Sequence, residues 1–250
     1  MQFSFGADRI TINIASPEAL FAAVRGRLAA GEGFALATLN LDHLVKLRKS
    51  AAFLAAYKAH DLVVADGNPV VWLSRLARSP KQLMPGSDLV IPLTALAAQA
   101  SRPIALLGST DDALHRAAKA LRQAVPGADI ALCLSPAMEF DTAGNTAGQM
   151  LAELDQRGIG LCFLALGAPK QELLAARGRR LAPHVGFASV GAGLDFLAGS
   201  QTRAPRWVQR LSLEFLWRTL QSPRRMIPRY AACAAILPGL AAAAWRQGRL

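Results

Sequence analysis

Six short apolar runs recur along the chain, each leading into a segment of helical periodicity. They are "FALATLN" (34–40), "LVVAD" (62–66), "PIALLGS" (103–109), "ADIALCL" (128–134), "GLCFLALG" (160–167) and "VGFASVG" (185–191). Their apolar residues are nearly continuous and do not alternate with polar ones, so both faces of each strand need cover. Parallel strands buried by crossover helices meet that need. The expected fold class is therefore α/β, a mainly parallel Rossmann-like sheet with helices on both faces. Ser16-Pro17-Glu18 reads as a cap with proline at the first helical position, opening a helix to about residue 30. Further helices are expected across 41–49, 51–59 and 69–77, from near Ser87-Asp88 to 100, across 110–124, up to 157, and between the last two strands. The chain has 250 residues, 52% of them hydrophobic, enough for one large core. The composition changes near Gly199-Ser200, which sets the expected domains: an α/β core over 1–200 and a helical, basic appendage over 201–250.

That appendage holds most of the excess charge. From residue 203 onward there are nine arginines against the single acid Glu214, a net +8 out of the chain's +11. Such a surface suits anionic lipid, a phosphate-bearing substrate or nucleic acid. No zinc finger, RNA-binding aromatic pair or recognition-helix pattern accompanies it, so nucleic acid is not an expected partner. "PRWVQRLSLEFLWRTLQ" (205–221) spaces Trp207, Leu211, Phe215 and Leu220 as one apolar stripe beside arginines. "YAACAAILPGLAAAAW" (230–245) has no charge, but it falls short of the ~20 apolar residues of a spanning helix, and Pro238-Gly239 is expected to interrupt it. The tail is therefore expected to lie on a membrane and not cross it; the alternative is that its helices simply pack on the core. The amino-terminus, "MQFSFGADRITINIAS", lacks the continuous apolar stretch of a signal peptide. Cys133, Cys162 and Cys233 are widely spaced, with no zinc-type pair, and fit a reducing compartment. The expected location is cytoplasmic, held peripherally at the inner face of the cell membrane.

In a parallel sheet, ligands bind beyond the carboxyl ends of the strands. The residues there are Thr38 and Asn40, Asp66-Gly67, Gly108-Ser109-Thr110, the turn 167–171, and the turn 191–195 ending in Asp195. Asp66 follows an apolar run and precedes another, so it is either a helix cap or a catalytic base. Gly108-Ser109-Thr110 opens a helix whose backbone N–H groups suit a phosphate, or it is an ordinary loop with a Ser or Thr cap. The sequence Gly191-x-Gly-x-x-Phe lacks the third glycine and the later ribose-binding acid of a dinucleotide site, which counts against a nicotinamide-dependent epimerase or dehydrogenase. His43, His60, His115 and His184 are scattered, with no metal-ligand or nucleophile motif, and read as structural or surface residues. Proton transfer then falls to a carboxylate, with Asp66 and Asp195 best placed. Asp42, Asp61 and Asp88 read as caps.

Taken together, "ATLNLDHLVKLR", "LVVADGNPVV", "PGSDLV", "LLGS", "LALGAPKQE", "VGAGLDFLAGSQTRAPRW" and "LEFLWRTLQSPRR" resemble the WecG/TagA/CpsF family of bacterial glycosyltransferases in order and spacing. The resemblance spans about residues 34 to 229. It implies inverting transfer of a sugar from a UDP-sugar to a sugar on an undecaprenyl-diphosphate carrier, with no metal and no cofactor. Such steps build teichoic-acid linkage units, common antigen or exopolysaccharide, at the cytoplasmic membrane face. The resemblance makes Asp66 the base that takes the acceptor hydroxyl proton, its pKa raised by burial at a strand end. Thr38, Asn40, Gly108, Gln171 and Asp195 would bind or orient the donor. Arg203, Arg218, Arg225 and Arg229 would offset the charge growing on the departing diphosphate.

"TLNLDHLVKLR" looks most like the exopolysaccharide glucosyltransferases, which points to UDP-glucose. The alternative donor is UDP-N-acetylmannosamine or its uronate. Three departures from the family pattern bear on the donor: Asn68-Pro69 after Asp66-Gly67, no arginine shortly before Gly86, and leucine in place of tryptophan after "GAPKQE". The expected partners are the UDP-sugar, the polyprenyl-linked acceptor and the membrane surface, and a homo-oligomer stays open. A non-enzymatic module that binds anionic lipid would account for the tail alone.

Overall fold

The computed structural model describes residues 1–137, 139–202, 204, 205, 208 and 214–249, with Glu214 and Arg218 described in their backbone only. The chain starts with β1 (Gln2–Phe5) and β2 (Asp8–Thr11), then α1 (Pro17–Ala30), β3 (Phe34–Leu39), α2 (Leu41–Leu47), α3 (Ala51–Lys58), β4 (Leu62–Ala65), α4 (Asn68–Leu76) and α5 (Gly86–Gln99). It continues with β5 (Ile104–Gly108), α6 (Asp111–Ala124), β6 (Ile130–Leu134), α7 (Asn145–Gln156), β7 (Leu161–Ala165), α8 (Lys170–Leu181), β8 (Gly186–Ser189) and α9 (Gly193–Leu197). Two helices close the described chain, α10 (Glu214–Gln221) and α11 (Pro223–Gln247).

All six expected apolar runs enter one sheet, in the order β4-β3-β8-β7-β5-β6, and every pairing is parallel. The α/β class follows as expected. Alternate residues of each strand feed opposite cores. Phe34, Leu36, Val64, Leu106 and Phe163 meet Leu20 and Val24 of α1, Leu93 of α5 and Leu114 of α6. On the other face Ala37, Leu39, Val63 and Ala65 meet α2, α3 and α4, while Ala35, Leu107, Leu164 and Phe187 meet Leu151 of α7 and Leu174 of α8. Ser16 caps α1 as expected, its hydroxyl accepting from the Ala19 amide.

Three features differ from the sequence reading. The amino-terminal 11 residues form an antiparallel hairpin turning at Gly6, whose φ is +63°. Its continuation covers the edge strand β4: Asn13 accepts from the Val63 amide and donates to the Asp61 carbonyl. This cover, with a bridge from Ala65 to Leu83, protects an edge that would otherwise offer free backbone groups.

Secondly, α11 runs without a break through Pro228 and Pro238. Proline's fixed φ is helical, but each proline removes one amide donor and crowds the carbonyl four residues before it, a cost the packing of Leu240 and Ala244 offsets. Its buried residues Met226, Cys233, Leu240 and Ala244 form one stripe, and the last two sit in the core beside α4. By length and composition α11 is apolar enough to cross a membrane, and only 17% of its most apolar stretch is buried.

Thirdly, the aspartates read as caps are not caps. Asn40 caps α2, and Asp42 lies in its first turn. Asp61 instead accepts from the Ala35 amide and from Arg179, and Asp88 lies in the first turn of α5, behind Pro85.

Close approach explains one glycine of the sheet. A Cβ on Gly186 would stand 2.4 Å from the Phe34 ring of the neighbouring strand. Gly186→Ala is expected to cost about 2 kcal/mol through overpacking, read as a lower urea midpoint with unchanged slope.

Candidate active site

The strands end in register, and that brings the polar turns together. Leu39 of β3 is paired with Ala65 of β4, and the Asp66 amide continues the ladder to the Leu39 carbonyl at 2.8 Å. Asp66 is thus fixed at the carboxyl edge by the sheet itself. The residue that caps α4 is Gly67, at φ +88°. Across the strand gap, the Asn40 side-chain nitrogen stands 3.4 Å from the Asp66 carboxylate, and the Asn40 side-chain oxygen accepts from the His43 amide at 3.0 Å. One asparagine therefore caps α2 and orients Asp66. Thr38 is buried in β3 opposite Val64.

Further along the edge, Gly108 and Ser109 both have positive φ. A Cβ on Gly108 would stand 2.5 Å from the backbone of Ala165, so this glycine is needed by the approach of β5 to β7. The Ser109 hydroxyl donates to Asp195, whose other oxygen accepts from Gln201 at 2.9 Å. Asp195 is held on both sides. Thr110 caps α6, accepting from the Ala113 amide, which is the ordinary-loop reading of this turn. Gly86 and Gly193 allow the starts of α5 and α9 to meet: a Cβ on Gly86 would be 3.1 Å from Val190, and one on Gly193 3.1 Å from Ser87.

Between these ends lies a buried polar cluster that the sequence did not single out. The Tyr57 hydroxyl is 2.6 Å from His43 Nδ1, and His43 Nε2 is 3.9 Å from Glu172. Gln171 donates to Glu172 at 2.8 Å and accepts from the Gly191 amide at 3.1 Å. Burial, with the charge of Lys46, pushes His43 down to about 3. Burial pushes Glu172 up to about 7, and burial followed by the charges of Glu172 and Asp66 raises the Tyr57 hydroxyl well above its usual range. Nothing in the spacing of these residues announced the cluster, because they come from α2, α3 and α8.

Beside it, Lys46 donates to the Ala168 carbonyl at 3.1 Å and pairs with Asp42 at 2.7 Å. Arg229 of α11 reaches the same Asp42 oxygen at 2.9 Å. Burial would raise the Asp42 carboxyl, but the Lys46 hydrogen bond and the Arg229 charge outweigh it and hold the group low. Of the two arginines expected near a diphosphate whose side chains are described, Arg229 is tied to this edge. Arg225 is exposed on α11. Arg203 and the Arg218 side chain lie outside the described residues.

A cavity of about 440 Å³ is lined by Ser16 at the start of α1, by Asn68, Val71 and Arg75 of α4, and by Lys81 and Gln82. A second, of about 310 Å³, lies at Arg102, Glu32 and His184, at the opposite end of the sheet from these turns.

A sequence model of the glycosyl transferase WecG/TagA/CpsF family matches residues 7–250. The chain belongs to this family. It is a glycosyl transfer enzyme, and the family works in general with a nucleotide-sugar donor and a lipid-linked acceptor. The match begins within the hairpin and runs through α11, so the carboxyl-terminal helices are part of the family fold.

The buried titrating groups of this transferase set its acid response. His43 and His60 stay neutral in the fold down to about 3 and about 4, against 6.5 when exposed. As pH falls below 6.5 the unfolded chain takes up protons that the fold refuses, so stability drops. Glu172 acts oppositely: between 4.5 and about 7 the fold keeps a proton that the unfolded chain releases, and that contribution is full below 4.5 and gone above about 7. Two groups oppose one, so the urea midpoint is expected to fall between pH 6.5 and 4.5. In Glu172→Gln the fall is expected to steepen, because the compensating group is gone.

Proposed function

We propose that the chain transfers a hexose from a UDP-sugar, UDP-glucose by preference, to a sugar on a polyprenyl diphosphate at the inner face of the cytoplasmic membrane. Transfer proceeds with inversion. The acceptor hydroxyl oxygen forms a bond to the anomeric carbon while the bond from that carbon to UDP breaks. Asp66 takes the hydroxyl proton. The observation that carries this reading is the setting of Asp66: its amide is clamped to Leu39, its carboxylate faces the Asn40 amide at 3.4 Å, and Asn68, two residues on, lines a cavity. A base held by strand and neighbour keeps its geometry through the reaction. Thr38 and Gln171 line the same edge, and the basic tail supplies charge for the departing diphosphate.

The tail also suits an anionic bilayer. Leu220 is 81% exposed and Ile227 58%, beside the exposed Arg224 and Arg225. Apolar side chains flanked by arginines bind at a headgroup boundary. Phe215 packs edge-on against Tyr230, centroids 6.0 Å apart, joining α10 to α11 as one surface.

The test is transfer to a synthetic polyprenyl-diphosphate-linked glucose or N-acetylglucosamine. UDP-glucose, UDP-N-acetylmannosamine and its uronate are offered separately, with and without EDTA. UDP-glucose is expected to be consumed at the same rate in EDTA, and Asp66→Asn to lower kcat by at least about 100-fold, the scale of a lost general base. Equal activity in the mutant would move the base to Asp195, and turnover of the mannosamine donor alone would reassign the donor. Leu220→Asp with Ile227→Asp is expected to weaken cosedimentation with vesicles containing anionic lipid by about tenfold.

A further inference from the structure

Glu172 is wholly buried. One of its oxygens, Oε1, accepts from Gln171 at 2.8 Å and faces His43 Nε2 at 3.9 Å. The other, Oε2, has no hydrogen-bond partner among the described residues. From α2 it also feels Asp42 and Lys46, with Arg229 of α11 paired to that Asp42, and Tyr57 of α3 lies behind His43. Burying a carboxyl with so few donors is costly, and an apolar side chain of similar volume would serve packing better. The carboxyl therefore needs another reason to be there.

Gln171 supplies one. Its amide has two ends of nearly equal shape. The NH2 meets Glu172, and the oxygen receives the Gly191 N–H at 3.1 Å. An ionised carboxyl, the form Glu172 takes above about pH 7, accepts and never donates, and a backbone amide donates and never accepts. A half-turn of the Gln171 amide would therefore set oxygen against oxygen and N–H against N–H. Gly191 begins, at φ +57°, the turn that carries Asp195. Tyr57 and His43 Nδ1 share one hydrogen bond, and His43 Nε2 faces Glu172.

We propose that Glu172 is a positioning residue. Holding the Gln171 amide in one orientation, it pins the Gly191 turn, which carries Asp195, to the start of α8. Its role in transfer rests on this carboxyl edge being the transfer site; the pinning does not.

The test is hydrogen–deuterium exchange at the Gly191 amide in the full chain, followed by NMR and compared with sheet amides of β5 and β7. In Glu172→Gln, protection at Gly191 is expected to fall by about tenfold, the scale of one charge-assisted hydrogen bond, with sheet protection unchanged. Gln171→Ala is expected to give the same loss, and the double variant no more than either alone. Should Glu172→Gln not fold, the wild type is titrated: the Gly191 protection factor rises by about tenfold between pH 6 and 8 as Glu172 ionises, and a fall overturns the proposal. Unchanged Gly191 protection in the variant, or a pH-independent protection factor, overturns the proposal. So does a loss shared equally by the whole sheet, which would mark a merely structural role. None of these readings needs turnover, so failure of the transfer assay leaves them standing. Where transfer does occur, Glu172→Gln is expected to raise the donor KM more than it lowers kcat.

Discussion

Helix α2 is seven residues long, yet with its cap it fastens four other parts of the molecule. Asn40 turns its amide to Asp66 on the edge strand. Asp42 binds Arg229 of the last helix. His43 stands between Tyr57 and Glu172, and Lys46 holds the Ala168 carbonyl in the turn before α8. Positions 42 and 46 are one turn apart, which lets one aspartate meet a lysine from its own helix and an arginine from another. Because α2 starts directly at the end of β3, its contacts are transmitted to the sheet with no loop to absorb them. The carboxyl edge keeps its shape for that reason.

The cost of this arrangement is charge in places that exclude water. Buried His43 and Glu172 hold shifted protonation equilibria, and neither strengthens the fold at neutral pH. Stability comes from elsewhere, from the apolar faces of six parallel strands and the helices over them. Such a division is familiar where a site is built into a core: the apolar layers supply the margin that the polar cluster uses.

The strands were legible because a doubly covered strand must be apolar throughout, as "LVVA" and "GLCFLA" are. The hairpin is faint in the sequence: Met1, Phe3 and Phe5 alternate with polar residues ahead of Gly6, but each strand is only four residues long. Asp42 and Asp61 stand where caps often stand, but Asn40 occupies the cap of α2, and tertiary partners claimed both acids. Pro238 looked like a break because propensity counts the lost hydrogen bond and ignores the packing of Leu240 and Ala244. Asp66 and Asn40 could be singled out from strand ends and from family likeness. Glu172 could not: a glutamate early in a helix looks like a favourable partner for the helix dipole, and only the folded chain brings Tyr57 and His43 to it.

The two ends of the chain are tied together. Gln247 accepts from the Gln2 amide and donates back to its carbonyl, and Gly248 lies so close to Leu76 that a Cβ there would be 2.7 Å from its carbonyl. The last turns of α11 are thereby anchored to the hairpin and to α4, while its first turns carry the exposed Arg224, Arg225 and Ile227. The helix is a lever with a fixed far end. Any load on its near end passes the Arg229–Asp42 pair, and through Asp42 meets the helix that follows β3.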